Sequence, residues 1–133
     1  MNKERIEKLE LLKECLLDYV VPIYIVGNID KLNFATDNII SATQGQLNLE
    51  IINNRYPLWL QKAIDNSGNL YNILIIKDFD KISLDEQSFF IDIICYKRIS
   101  SQLLPDDLKI IVNSESECKL IPKLHDRFEF IKL

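Results

Sequence analysis

The sequence predicts an α/β fold: a three-layer α/β/α sandwich around a five-stranded, mainly parallel sheet. Three observations carry this. Short apolar, β-branched runs recur at 20–26, 47–52, 71–76, 108–112 and 128–133. Segments with helical spacing of apolar residues stand between them. Strands that alternate with helices are joined by crossovers, which build parallel sheets covered on both faces. The chain has 133 residues, 47% of them hydrophobic. That length is one domain, and a single core of this size buries about two-thirds of the unfolded surface. Residues 1–133 therefore read as one domain, with no repeat, linker or low-complexity tract.

Residues 3–18 read as an amphipathic helix, because Ile6, Leu9, Leu12 and Leu16 recur at spacings of three and four. V-V-P-I-Y-I-V at 20–26 is too short for a helix and is bounded by Gly27-Asn28, so it reads as a buried strand. Residues 33–44 read as helical, with Ile39, Ile40 and Ala42 on one side, and L-N-L-E-I-I at 47–52 as the second strand. Pro57 opens a helix over 56–66 that ends before Ser67-Gly68. Trp59, with Leu58 and Leu60, reads there as core packing rather than as a platform for a base.

Y-N-I-L-I-I at 71–76 is the strongest strand signal, and the polar break Lys77-Asp78-Phe79-Asp80 follows it. S-L-D-E at 83–86 is a capping box, with Ser83 capping and Glu86 reaching back. The helix it opens is expected to run to about Ile99, turning Phe89, Phe90, Ile93 and Ile94 to the core. L-K-I-I-V at 108–112 is a strand ending in N-S-E-S-E. A short helix at 119–126 leads to a last strand, F-E-F-I-K-L, at 128–133.

Sixteen basic and 20 acidic side chains give a net charge of −4. Phosphate backbones are held by clustered Lys and Arg, so direct binding of nucleic acid is not expected. Cys15, Cys95 and Cys118 form no C-x-x-C pair, which argues against a disulfide framework and for a reducing, cytoplasmic setting. One histidine, His125, is too few for an ordinary zinc site, and Asp126 beside it is not oriented by adjacency into a catalytic pair. The amino terminus is charged rather than apolar, and no apolar run approaches the ~20 residues of a membrane helix. No membrane partner and no metal site are expected.

In sheets of this kind ligands lie outside the carboxyl ends of the strands. Here those ends are 27–33, 77–80 and 113–116, which are expected to converge. In this order and spacing, the three segments resemble the nucleotide site of AAA+ ATPases of the P-loop NTPase class, over nearly the whole chain. The nearest likeness is to the MoxR and dynein-related branch. P-L-W-L-Q-K-A-I at 57–64 resembles the segment before the Walker B strand. I-L-I-I-K-D-F-D-K-I at 73–82 is similar to that strand and the turn after it. V-N-S-E-S at 112–116 looks like a sensor 1 strand end, with Asn113 in the sensor position. I-P-K-L-H-D-R-F-E-F-I at 121–131 resembles the stretch before the last strand, where Arg127 matches an arginine able to act as a finger on a neighbouring subunit.

The motifs depart from the pattern where chemistry is done. A P-loop reads G-x-x-x-x-G-K-[ST], and without gaps it falls on G-N-I-D-K-L-N-F at 27–34. Gly27 is kept, but Leu32, Asn33 and Phe34 replace the second glycine, the lysine and the hydroxyl residue. Leu32 restricts the backbone that would wrap phosphates, Asn33 brings no charge, and Phe34 cannot hold Mg²⁺. Lys31 is a nearby cation, two positions early. In Walker B the metal-positioning Asp falls on Lys77 and the catalytic Glu on Asp78, with Asp80 following. Nothing after the last strand corresponds to the helical lid of a full module.

The resemblance implies a strand order of 5-1-4-3-2, with a long Ser83–Ile99 helix flanking the sheet. It implies a catalytically degenerate AAA+-like module, a pseudo-ATPase that assembles with active relatives or binds another protein and needs no cofactor. The alternative it leaves open is an ATP-binding protein of that family, with Lys31 and Lys77 replacing the lost lysine and Asp78 or Asp80 holding Mg²⁺. Such a protein would act in DNA replication or repair, or in chaperone-like remodelling.

Overall fold

The computed structural model of the chain describes residues 21–32, 36–44, 55–69, 72–99 and 102–133. The helix expected at 3–18 and the strand expected at 47–52 lie outside them. The described residues build a five-stranded sheet from β1 (Ile23–Val26), β2 (Ile39–Ser41), β3 (Ile73–Lys77), β6 (Lys109–Ser114) and β7 (Glu129–Lys132). A two-stranded hairpin, β4 (Arg98–Ile99) and β5 (Gln102–Leu103), stands apart from it. The main sheet runs β2-β3-β6-β1-β7, and every neighbouring pair is parallel.

The near-continuous apolar strands follow from burial on both faces. Alternate residues split into two clusters. Tyr24, Leu74, Ile76, Ile110 and Val112 face a layer built by α1 (Leu58–Asp65), α2 (Leu84–Gln87), α3 (Ile91–Tyr96) and α4 (Pro122–His125). Ile23, Ile25, Ile73, Ile75 and Ile111 form a second buried cluster with Ile29. In the first layer Trp59, Leu60 and Ala63 of α1 and Phe90, Ile93 and Ile94 beside them are all buried. Leu58, grouped by sequence with Trp59, is instead 71% exposed.

Several elements differ from the sequence expectation: the β4–β5 hairpin was not expected, the helix expected at 119–126 is confined to Pro122–His125, and two further differences bear on the site. Ile39–Ser41 is a strand, at the edge of the sheet among the described residues, and not part of a helix, and a 3-10 turn at 42–44 follows it. Buried Asn38 holds this segment extended: its Nδ2 donates to the Trp59 carbonyl at 2.9 Å, and its own carbonyl accepts from Ile75 N at 3.0 Å. The β-branched pair Ile39-Ile40 suits that conformation. The strand order thus differs in which segment takes the second place, since Ile39–Ser41 stands where 47–52 was expected.

The capping box at Ser83 and Glu86 forms with both bonds at 3.1 Å. The helix it opens does not run to Ile99. A 3-10 turn, Ser88–Phe90, separates α2 from α3, and the Ser88 hydroxyl bonds back to the Asp85 carbonyl, a contact that bends helices. Of the two rings in this turn, Phe90 is buried while Phe89 is 43% exposed, so only one of the pair faces the core. α3 stops at Tyr96 because Lys97 is left-handed, φ 48°, and the chain turns into β4.

Candidate functional site

The carboxyl ends of β1, β3 and β6 do converge. Gly27 N donates to the Ser114 carbonyl at 2.8 Å. Lys77 Nζ lies 3.9 Å from Asp30 Oδ1, linking the end of β3 to the turn after β1. Ser116 Oγ donates to Asp80 Oδ2 at 3.2 Å, linking the loop after β6 to the turn after β3.

Gly27 is required for reasons internal to the sheet. Its φ is +131°, a region side chains rarely enter, and a Cβ placed there would stand 2.8 Å from Leu133 Cβ. Leu133 is fixed by its own N–H on the Val26 carbonyl at 2.9 Å. After Gly27 the Asn28 side chain accepts from Asp30 N at 3.1 Å, and Ile29–Leu32 forms a short 3-10 turn. Lys31 lies in that turn, but its side chain, like Asn33 and Phe34, falls outside the described residues.

Asn113 is 3% exposed and holds β6 to the end of β1. Its Nδ2 donates to the carbonyls of Ile25 at 2.9 Å, Gly27 at 3.1 Å and Ser114 at 3.4 Å. The side chain is thus turned into the sheet. Asp78, after β3, is left-handed, φ 63°. Its Oδ2 accepts from Ser41 Oγ at 2.7 Å and its Oδ1 pairs with Lys81 Nζ at 3.3 Å. The Ser41 bond, with Lys81 and Lys77 nearby, holds its carboxyl below the usual range.

A second polar chain runs beneath. Tyr24 Oη donates to Ser114 Oγ at 3.0 Å, and Ser114 Oγ donates to the Ser116 carbonyl at 2.7 Å. With its one proton committed to Ser114, the Tyr24 oxygen accepts from Cys118 Sγ, 3.1 Å away. Burial and the Cys118 contact push the Tyr24 phenol far above its ordinary range, so it stays protonated. Asp80 ends the chain: Oδ2 takes Ser116, while Oδ1 is buried with no partner among the described residues.

Sequence reasoning placed Lys77, Asp78, Asp80 and Asn113 at this end of the sheet, and they are there. It did not find Ser41 or Asp30, nor the Tyr24–Ser114–Cys118 chain. Ser41 was hidden by the helical reading of its segment. Tyr24 carried a signal, as the one residue with a polar tip in V-V-P-I-Y-I-V. Arg127 is not brought to the site. It is exposed and precedes β7, whose first residue is level with Ile23 at the amino end of β1. Among the described residues it makes no ion pair with Asp126 or Glu129. His125 pairs with Asp126 at 3.3 Å on the surface.

Cys95 and Cys118 are free thiols. Among the described residues no cluster of His, Cys, Asp and Glu is placed to hold a metal ion, and no helix is long and apolar enough to cross a membrane. No protein-family model matches the chain, and no curated protein matches it.

Proposed function

We propose that this domain is a non-hydrolysing, AAA+-like core that serves as a protein-interaction or assembly subunit. The P-loop-like identity is part of the proposal. It rests on the sequence motifs, supported by the five-stranded parallel sheet and the meeting of their segments at its carboxyl end.

One observation carries the loss of hydrolysis. At the end of β3 a cation, Lys77, stands where that chemistry requires a metal-binding carboxylate, and Asp30 is the group facing it. Asp78, in the place of the catalytic base, has its two oxygens committed to Ser41 and Lys81. A general base must reach the water it activates, and a carboxylate whose pKa is lowered is a poorer base. Asn113 spends its amide donor on backbone carbonyls rather than on a ligand. Arg127 is exposed at the other end of the sheet, away from this site, and in this reading it is offered to a neighbouring subunit.

The test is calorimetric titration of the whole chain with ATP and with ADP, with and without Mg²⁺. The expected result is no saturable binding tighter than about millimolar, roughly −4 kcal/mol. Saturable binding below that concentration, or turnover abolished by Asp78→Ala, would overturn the proposal.

A further inference from the structure

Among the described residues the sheet ends at β7, and that edge carries a pairing surface independent of the nucleotide reading. On its inner side Glu129 N donates to the Pro22 carbonyl at 3.0 Å and Leu133 N to the Val26 carbonyl at 2.9 Å. A parallel ladder engages alternate residues, so Ile131 also faces β1. The backbone N–H and C=O of Phe130 and Lys132 point outward, and no described strand takes them. An open edge of this kind is a template for another strand.

We propose that the partner is a second copy of this chain. The two β7 strands pair antiparallel about a two-fold axis at Ile131, joining both sheets into one. Self-complementarity argues for this occupant. In that register the outward groups of Phe130 meet those of Lys132 of the second copy, and the reverse, so none is left over. On one face each Phe130 ring, 45% exposed, meets a lysine, a favourable cation–ring pairing. On the other face Ile131 meets its own counterpart, and Glu129 stands opposite Leu133 of the second copy. No like charges oppose each other. A register centred on Lys132 would set lysine against lysine, which is destabilising.

An edge lysine often serves to block pairing. Here its charge is countered within the chain, because Glu117 Oε1 lies 3.1 Å from Lys132 Nζ. Beside the strand, on the Phe130 face, lies a groove of about 290 Å³ lined by Tyr24, Cys118, Leu120, His125 and Phe130.

Sedimentation of the purified chain across micromolar to millimolar concentration is expected to show a monomer–dimer equilibrium. Lys132→Pro deletes an outward N–H and leaves the bonds to β1 in place, as edge prolines do. Two bonds are lost per dimer, so association should weaken roughly 10–100-fold. Lys132→Ala keeps every backbone bond and loses only the two cation–ring pairings, so it should weaken association roughly 5–30-fold, and Lys132→Arg should keep it within about threefold. A second measurement does not depend on the proline variant folding. Residues at the axis form a non-hydrogen-bonded pair with Cα atoms about 4.5 Å apart, within disulfide range. Ile131→Cys should therefore cross-link to a covalent dimer on mild oxidation, and Glu129→Cys should not. A wild-type chain that stays monomeric throughout would overturn the proposal. So would an Ile131→Cys chain that cross-links no better than Glu129→Cys.

Discussion

Asn113 is the side chain whose removal tests the reading of the strand ends most directly. It is 3% exposed, and its Nδ2 lies 2.9, 3.1 and 3.4 Å from three carbonyl oxygens. Asn113→Ala removes that donor from a buried site, which costs about 1–3 kcal/mol. Asn113→Asp keeps the volume but puts an acceptor-only carboxylate against those oxygens, at about 3 kcal/mol or more. Protonation restores an O–H donor, so the new carboxyl is held above its unfolded value of about 3.9 when folded. The folded variant then binds more protons than the unfolded one, so its stability falls as pH rises. The pH-dependent part of the penalty relative to wild type is absent below about pH 4 and grows until pH passes the raised folded value. Urea unfolding followed by fluorescence of Trp59, the only tryptophan and 2% exposed, reports it. The quantity read is variant minus wild type at each pH, because Asp78 titrates in both. Each kcal/mol also moves the melting temperature by roughly 3–5 °C for a chain of this size. An aspartate variant within about 0.5 kcal/mol of wild type at pH 7 would refute the clamp. A side chain kept to read a bound phosphate would tolerate alanine at little cost in stability.

Gly27→Ala should destabilise by about 1–3 kcal/mol, since a Cβ at φ +131° is strained and meets Leu133. Adding Leu133→Gly should restore the contact part only, as thermal melts of the single and double variants would show. Phe90→Ala should cost about 3–5 kcal/mol and Phe89→Ala about 1; equal losses in denaturant titrations would mean that both rings are packed in the core. Ser41→Ala removes the largest influence lowering the Asp78 carboxyl, so that carboxyl should titrate higher by NMR. Because Asp78 is lowered in the fold, the stability it contributes is present above its unfolded value and lost as pH falls through the folded one. The variant should therefore lose less stability on acidification than wild type, and an identical acid profile would count against the Ser41 bond.

The strands buried on both faces were the most legible part of the chain. I-Y-I-V and I-L-I-I have nowhere to go but the middle of a sheet, and the capping box at Ser83 is a local device that needs no tertiary partner. Ile39–Ser41 was not legible. Three residues carry no period, and what keeps them extended is Asn38 reaching the Trp59 carbonyl, 21 positions away. The break at Ser88 was equally hidden, since a serine bonding back to a carbonyl leaves the apolar spacing almost unchanged. At the site, the positions of Lys77, Asp78 and Asn113 could be read as strand ends. Their partners could not, because Asp30, Ser41 and the carbonyls of β1 come from other segments brought there only by the fold.

Every parallel sheet must answer the polar groups at the carboxyl ends of its strands, and it can do so with a ligand or with itself. A phosphate loop leaves N–H groups and a cation waiting for an anion. Here Gly27 N is taken by Ser114, Lys77 faces Asp30, Asp78 takes Ser41 and Lys81, and Asn113 takes the carbonyls of β1. Each of these answers comes from within the chain, and Asp80 Oδ1 alone of the groups named at this end is left without a partner among the described residues. The glycine that most resembles a phosphate loop is also the one that the close approach of Leu133 demands, so its presence cannot argue for a nucleotide. The residues around it can be made to. Lys77→Asp removes the cation and sets a carboxylate near Asp30, two like charges with no counter-ion between them. That variant should lose stability on its own and regain it with millimolar Mg²⁺ if the strand ends still form a metal cradle. Melts that are unchanged by Mg²⁺ would mean that these strand ends hold no metal ion even with both carboxylates in place.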